Sequence, residues 1–353
     1  MLQRLLRNVR IVVASVLAAT ACAAAPTQPE PQRIVAVGDL HGDFSVWRDI
    51  AAAAGLIDAK GGWAGGRTTL VQVGDMVDRG PDSLKIVRDM MRLQKEAAKA
   101  GGKVVVLTGN HEAMNVTGDL RYTTAGEFAA FATRGSAELR DRLYESKKDD
   151  IEASFKAKDP AMTPAAIRSA WLKQTPLGWV EQRLAWAPDG EIGRWVIGNP
   201  AVAKVGGTLF VHGGLSAEYS KQPIEAINRS VASALKAVER SPGSILTDPL
   251  GPLWYRGLLT RDPKITQIPA GGLPRPAMSE ELTAVLAAYG ARRIVVGHTP
   301  VLAGIQMLGD GRLVTIDTGN SRHYNGTPSY LEIVGDRLVP HAVKRSVPAG
   351  GSQ

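Results

Sequence analysis

Six short apolar runs punctuate the chain, at 34–37, 69–73, 104–107, 209–211, 294–296 and 313–316. Their length and β-branched content predict strands buried in a sheet. Longer stretches between them, 81–100 and 279–289, carry helical patterning, and Ser279 followed by Glu280 and Glu281 is a helix-start signal. Strands interleaved with helices predict the α/β class with a largely central sheet. About 100 residues separate His111 from His212, far more than a crossover needs, so a helical insertion is expected over about 116–195. Within it the stretch 127–158 is polar and charged, and Thr163-Pro164 opens a further helix as N-cap and first turn. Trp171, Trp179, Trp186 and Trp195 are expected to pack together there. A Pro/Gly-rich rim loop is expected over about 241–276.

The N-terminus follows another rule. Arg4, Arg7 and Arg10 precede an apolar run at 11–19 and then small residues, the order of a secretory signal peptide covering about 1–25. The run is too short for a membrane-spanning helix. Residues 17–22 resemble a lipoprotein box, which would make Cys22 a lipid anchor on the membrane; cleavage beyond it would instead release the chain into the periplasm. A polar leader (26–32), a main domain (33–340) and a tail (341–353) complete the division.

With 44% hydrophobic and 22% charged residues, disorder and a polytopic membrane protein are excluded. The formal charge is +8, and without the three leader arginines it falls to +5. No dense basic track interleaved with aromatics is present, so no nucleic-acid partner is expected. Cys22 is the only cysteine, which excludes an intramolecular disulfide and a multi-thiolate metal site.

Chemistry gathers where the strands end, the usual place for ligands in α/β sheets. In order the loops read Gly38-Asp39-Leu40-His41-Gly42, Gly74-Asp75-Met76-Val77-Asp78-Arg79-Gly80, Gly109-Asn110-His111-Glu112, His212-Gly213-Gly214, Gly297-His298-Thr299 and Asp317-Thr318-Gly319-Asn320. Four of the six histidines fall in them; His323 and His341 are expected at the surface. Carboxylate, amide and imidazole donors suit Mn, Fe or Zn. Two carboxylates and several imidazoles exceed the needs of one tetrahedral ion, so two metal ions are expected. Closed structural zinc sites use short fixed spacings, which these loops lack.

These blocks resemble the signature of the calcineurin-like metallophosphoesterases of phosphoprotein phosphatase type. Gly109-Asn110-His111-Glu112-Ala113-Met114-Asn115 and Gly251-Pro252-Leu253-Trp254-Tyr255-Arg256-Gly257 are similar to the Shewanella-like branch. The resemblance implies a sandwich of β-sheets flanked by helices and a phosphomonoesterase acting on phosphorylated protein, peptide or small phosphoester. It implies that Asp39 and His41 bind one metal, that Asp75 bridges, and that Asn110, His212 and His298 bind the second. Water activated between the ions would attack phosphorus directly. His111 would be the general acid, Asp78 would orient it, and Arg79 would clamp phosphate. The Asn-Asp-Arg-Gly segment and the Ser-Ala-Pro-Asn-Tyr-Cys loop of eukaryotic relatives are absent. Arg256 is the substitute for the second phosphate arginine, and Asp317 either supports the metal ligands or caps its loop. A dinucleoside polyphosphate hydrolase shares these motifs, and a silent phospholigand-binding module is the remaining alternative, disfavoured by intact His111, Asp78 and Arg79.

Overall fold

The computed structural model describes residues 32–261 and 276–346. The expected signal peptide, Cys22, most of the polar leader, the rim loop from 262 to 275 and the end of the tail lie outside the described residues. No described helix is long and apolar enough to cross a membrane.

Among the described residues, ten strands form two five-stranded sheets. They are β1 (Arg33–Val37), β2 (Thr69–Gln72), β3 (Lys103–Val106), β4 (Val202–Val205), β5 (Thr208–Val211), β6 (Arg293–Val296), β7 (Gln306–Leu308), β8 (Leu313–Thr315), β9 (Ser329–Val334) and β10 (Arg337–Ala342). The first sheet runs β10-β9-β1-β2-β3 and the second β4-β5-β6-β8-β7. In each, three parallel strands carry the chemistry: β1, β2 and β3 in one, β5, β6 and β8 in the other.

The sheets pack face to face, which explains why the strands read as unbroken apolar runs. Ile34, Ala36, Val71, Val73 and Val105 meet Phe210, Val295, Val314 and Ile316 between the sheets. The alternate residues Val35, Val37, Leu70, Val104 and Val106 face helices α1 (Phe44–Ala53) and α2 (Ser83–Lys99). With both faces covered there is no polar position to alternate with. Each buried aliphatic side chain contributes about 1.5–3 kcal/mol, so the strand ends rest on a stiff core. Instead of one central sheet, the core is a two-sheet sandwich with helices outside.

Helix α3 (Asn110–Thr117) starts at the site, and six short helices follow between residues 125 and 198: α4 (Ala125–Ala129), α5 (Ser136–Ser146), α6 (Lys148–Lys156), α7 (Pro164–Gln174), α8 (Trp179–Trp186) and α9 (Glu191–Gly198). Thr163 caps α7, its side chain accepting the Ala166 N–H. The tryptophans do not form one cluster. Trp171 packs on Tyr144, whereas Trp186 and Trp195 join the core under the first sheet. The outer face of the second sheet is covered by α10 (Ile224–Lys236) and α11 (Met278–Ala288).

Candidate metal centre and phosphate site

All the loops singled out by their polarity meet at the carboxyl ends of the parallel strands. Tight turns bring them there. Of the eight non-glycine residues with positive φ among the described residues, five are His41, Asp75, Asp78, Arg79 and His298. Side chains normally avoid that region, and its concentration here marks a site where structure overrides local preference. Gly109 is required for a different reason, close approach on an extended backbone: a Cβ there would collide with Asp75 Oδ1.

Asp75 is the hub. Its Oδ2 lies 3.2 Å from His212 Nε2, 3.8 Å from His111 Nε2 and 4.0 Å from His41 Nε2. Two buried donor groups share it, one with His41 and His111 and one with His212 and His298. Nδ1 of His41 faces the Val77 carbonyl at 3.1 Å and Nδ1 of His212 faces the Val73 carbonyl at 2.9 Å. An N–H donated there leaves each Nε2 lone pair aimed inward, the arrangement metal-binding histidines need. His298 Nε2 is buried with no hydrogen-bond partner, and Asn110 Oδ1 lies 2.9 Å from His212 Nε2. Asp39 stands beside the first group, its Oδ2 3.8 Å from His41 Nε2, and both its oxygens accept the His298 backbone N–H at 3.2 Å.

Electrostatics favours cations in this cage. Burial, with Asp317 and Asp75 beside it, pushes the Asp39 carboxyl well up, and burial together with Asp75 pushes Glu112 up to about 7. Burial holds His298 well below its ordinary value and His41 down to about 3, so both imidazoles are neutral. Crowded buried carboxylates and neutral imidazoles are matched by bound divalent ions. The residues present therefore fit two metal ions.

Beside the cage lies a second constellation. His111 Nδ1 is 2.6 Å from Asp78 Oδ2, and its Nε2 is 3.2 Å from Arg79 Nη2. Burial pulls the imidazole down, but Asp75 and the Asp78 hydrogen bond outweigh it and hold the pKa above its ordinary value. Asp78 is fully buried and also accepts from Asn115 Nδ2 at 3.0 Å and Thr123 Oγ1 at 2.9 Å. Arg256, half-buried, has Nη2 3.5 Å from the His298 carbonyl. Burial lowers its pKa against the pull of Asp75, Asp39 and Asp317. Asp317 Oδ1 accepts the Gly319 N–H at 3.0 Å, which caps the loop.

Four further residues escaped the sequence reading of roles. Glu112 accepts the N–H groups of Asp75, Met76 and Gly109 at 2.8–2.9 Å and so locks two ligand loops together. Glu127, from α4, accepts the Asp78 N–H at 2.9 Å and the Ser83 hydroxyl. Both glutamates stand three residues after a helix N-cap, a spacing that signals capping but not these contacts across the chain. Tyr122 and Tyr324 flank Arg79, each ring centroid 5.0 Å from its Cζ, and no sequence signal marks them.

Donors of this kind, converging where two sheets end, define a metal-dependent phosphoesterase. The chain belongs to the calcineurin-like phosphoesterase family, whose model matches residues 32–302. It is 34% identical over 318 residues to Shewanella-like protein phosphatase 2 of Arabidopsis thaliana, covering 88% of this chain and 77% of that protein. It is 28% identical over 306 residues to Shewanella-like protein phosphatase 1 of Plasmodium berghei, covering 85% and 71%. The fold matches a solved cold-active protein tyrosine phosphatase with a TM-score of 0.62 at 24% identity, over 88% of this chain and 76% of that one. The protein is thus a hydrolase of phosphate esters that works with two metal ions, as its family does.

Proposed function

We propose that this phosphoesterase is a protein phosphatase that removes phosphate from phosphorylated protein or peptide. The observation that carries the reading is the Asp78–His111–Arg79 constellation set against the shared carboxylate Asp75. The names of the two relatives support the substrate class. When bound, two cations held by Asp39, His41, Asp75, Asn110, His212 and His298 supply an activated water and neutralise phosphate charge.

The chain's own residues do the rest. Arg79 offers planar N–H donors to the phosphate oxygens, and Arg256, beside the His298 carbonyl, offers a second set. His111, whose pKa Asp75 and the Asp78 hydrogen bond hold above its ordinary value against burial, is the group that donates a proton from Nε2 to the departing serine, threonine or tyrosine oxygen. Asp78 fixes the ring so that Nε2 faces the site. A cleft of about 560 Å³ lined by Met114, Leu120, Tyr122 and Trp254 opens beside the centre and is large enough for the side chains next to a phosphorylated residue.

The test is turnover by the full chain loaded with Mn, Fe or Zn. Phosphoserine, phosphothreonine and phosphotyrosine peptides, an aryl phosphate and a dinucleoside polyphosphate are offered in parallel. Phosphopeptide and aryl phosphate hydrolysis is expected. Polyphosphate cleavage without phosphopeptide turnover would move the protein to the nucleotide hydrolases, and a metal-loaded but inert protein would make it a binding module.

A further inference from the structure

Arg79 is held without a carboxylate. Its only side-chain hydrogen-bond partner among the described residues is His111 Nε2, and its own Nε is buried with no acceptor. What surrounds it is aromatic: its Cζ lies 5.0 Å from the Tyr122 centroid and 5.0 Å from the Tyr324 centroid. The same rings flank the imidazoles, Tyr122 5.0 Å from His111 and Tyr324 5.5 Å from His41. A carboxylate partner would occupy the guanidinium N–H groups and cancel part of its charge. Ring faces attract the cation while leaving its in-plane donors free.

Resting on the reading of Arg79 as a phosphate ligand, we propose that Tyr122 and Tyr324 are positioning residues that grip its guanidinium and aim it at phosphate, with Arg345 bracing one jaw from the C-terminal segment. Tyr122 is fixed by its own backbone, whose carbonyl accepts the Arg79 N–H at 3.0 Å. Tyr324 sits in the loop after β8, and Arg345 Nη2 donates to carbonyls on either side of it, to Asn320 O at 2.8 Å and Gly326 O at 2.7 Å. The segment bearing Arg345 is itself anchored, with Val343 N–H on Pro328 O at 2.7 Å and Ser346 N–H on Asp49 Oδ2 at 2.7 Å. A residue near the end of the chain thereby acts on phosphate through Tyr324 and Arg79.

The experiment measures calorimetric affinity for inorganic phosphate on the metal-loaded full chain, with KM and kcat for an aryl phosphate alongside. Tyr122→Leu and Tyr324→Leu are each expected to weaken phosphate about tenfold, chiefly through KM, at unchanged metal content. Tyr122→Phe and Tyr324→Phe keep the ring and recover most of that loss, which also shows that the site folds. Arg345→Gln is expected to weaken phosphate about threefold, and to add nothing in the Tyr324→Leu background because both act through one jaw. Unchanged phosphate affinity in the Leu variants, or Phe variants as weak as Leu, overturns the clamp. An Arg345→Gln effect that persists beside Tyr324→Leu overturns the bracing. Should the wild type bind phosphate yet turn over no ester, the activity fails and the clamp is still judged on affinity; unchanged affinity in Arg79→Ala overturns the clamp together with its premise.

Discussion

The two sheets meet at one centre but contribute unlike things to it. Loops after β1, β2 and β3 bring both metal-facing carboxylates, the Asp78–His111 pair and Arg79, and four of their residues have positive φ: His41, Asp75, Asp78 and Arg79. The second sheet brings the imidazoles of His212 and His298, with Arg256 on a neighbouring turn. The first set is interlocked: Leu40 and His41 donate to the Asp75 carbonyl at 2.9 and 3.0 Å, and Glu112 ties Asp75 and Met76 to Gly109. The second set takes its orientation from the first, since the His212 ring is aimed by the Val73 carbonyl and His298 by Asp39. One sheet is a rigid template for charge and proton transfer, and the other completes the coordination around it.

That asymmetry predicts a ranking of effects. Asp75→Asn removes the charge both donor groups share, and is expected to take bound metal from about two ions to below about one, and kcat/KM down at least about a thousandfold. Retention of both ions by this variant, measured by elemental analysis, would break the comparison at its centre. His111→Asn comes next. It is expected to keep both ions while kcat falls about a hundred- to ten-thousandfold on serine phosphate. The deficit should shrink for an aryl phosphate whose acidic phenol leaves without a proton; an equal deficit on both substrates would show that His111 serves the metal rather than the leaving group.

How much of this was legible in the sequence follows the same division. All six apolar runs became strands, because a run buried on both faces announces itself by length and branching. β4, β7, β9 and β10 were not legible: β7 is three residues long, and β10 is an edge strand interrupted by Pro340. The motif loops were readable as loops, since their glycines and clustered donors are local facts. Their support was not. Glu127, Tyr122, Tyr324 and Arg345 reach the centre across tens to hundreds of residues, and only the fold decides that Arg345 meets the loop of Tyr324 while Tyr324 meets Arg79. Asp39 shows this in another way: adjacency in a motif placed it with His41, and its Oδ2 does lie 3.8 Å from His41 Nε2, but only the fold brings the His298 backbone N–H to the same carboxylate.

A smaller effect than that of Asp75→Asn or His111→Asn should come from the helices inserted between the two sheets, which back the proton-transfer pair. Glu127 holds the Asp78 N–H, and Gln182 of α8 donates to Asn115, which donates to Asp78 in turn. Glu127→Gln keeps one carbonyl acceptor and puts an amide where the carboxyl stood, disturbing the contacts to Ser83 and Asp78, so kcat/KM is expected to fall about tenfold with metal content unchanged. Its pH signature is specific. Burial and the Asp78 charge push the Glu127 carboxyl up to about 7 from an ordinary 4.5. Between those values the native state holds a proton that the unfolded chain has released, so this group's stabilising contribution is complete below about 4.5 and is lost as pH rises through about 7. The slope is at most about 1.4 kcal/mol per pH unit. Denaturant unfolding of wild type and Glu127→Gln at pH 5, 6 and 7 should therefore show the variant gaining on the wild type as pH rises. A constant gap would mean that Glu127 is ionised in the native state, and that the insertion supports Asp78 with a charged rather than a neutral acceptor.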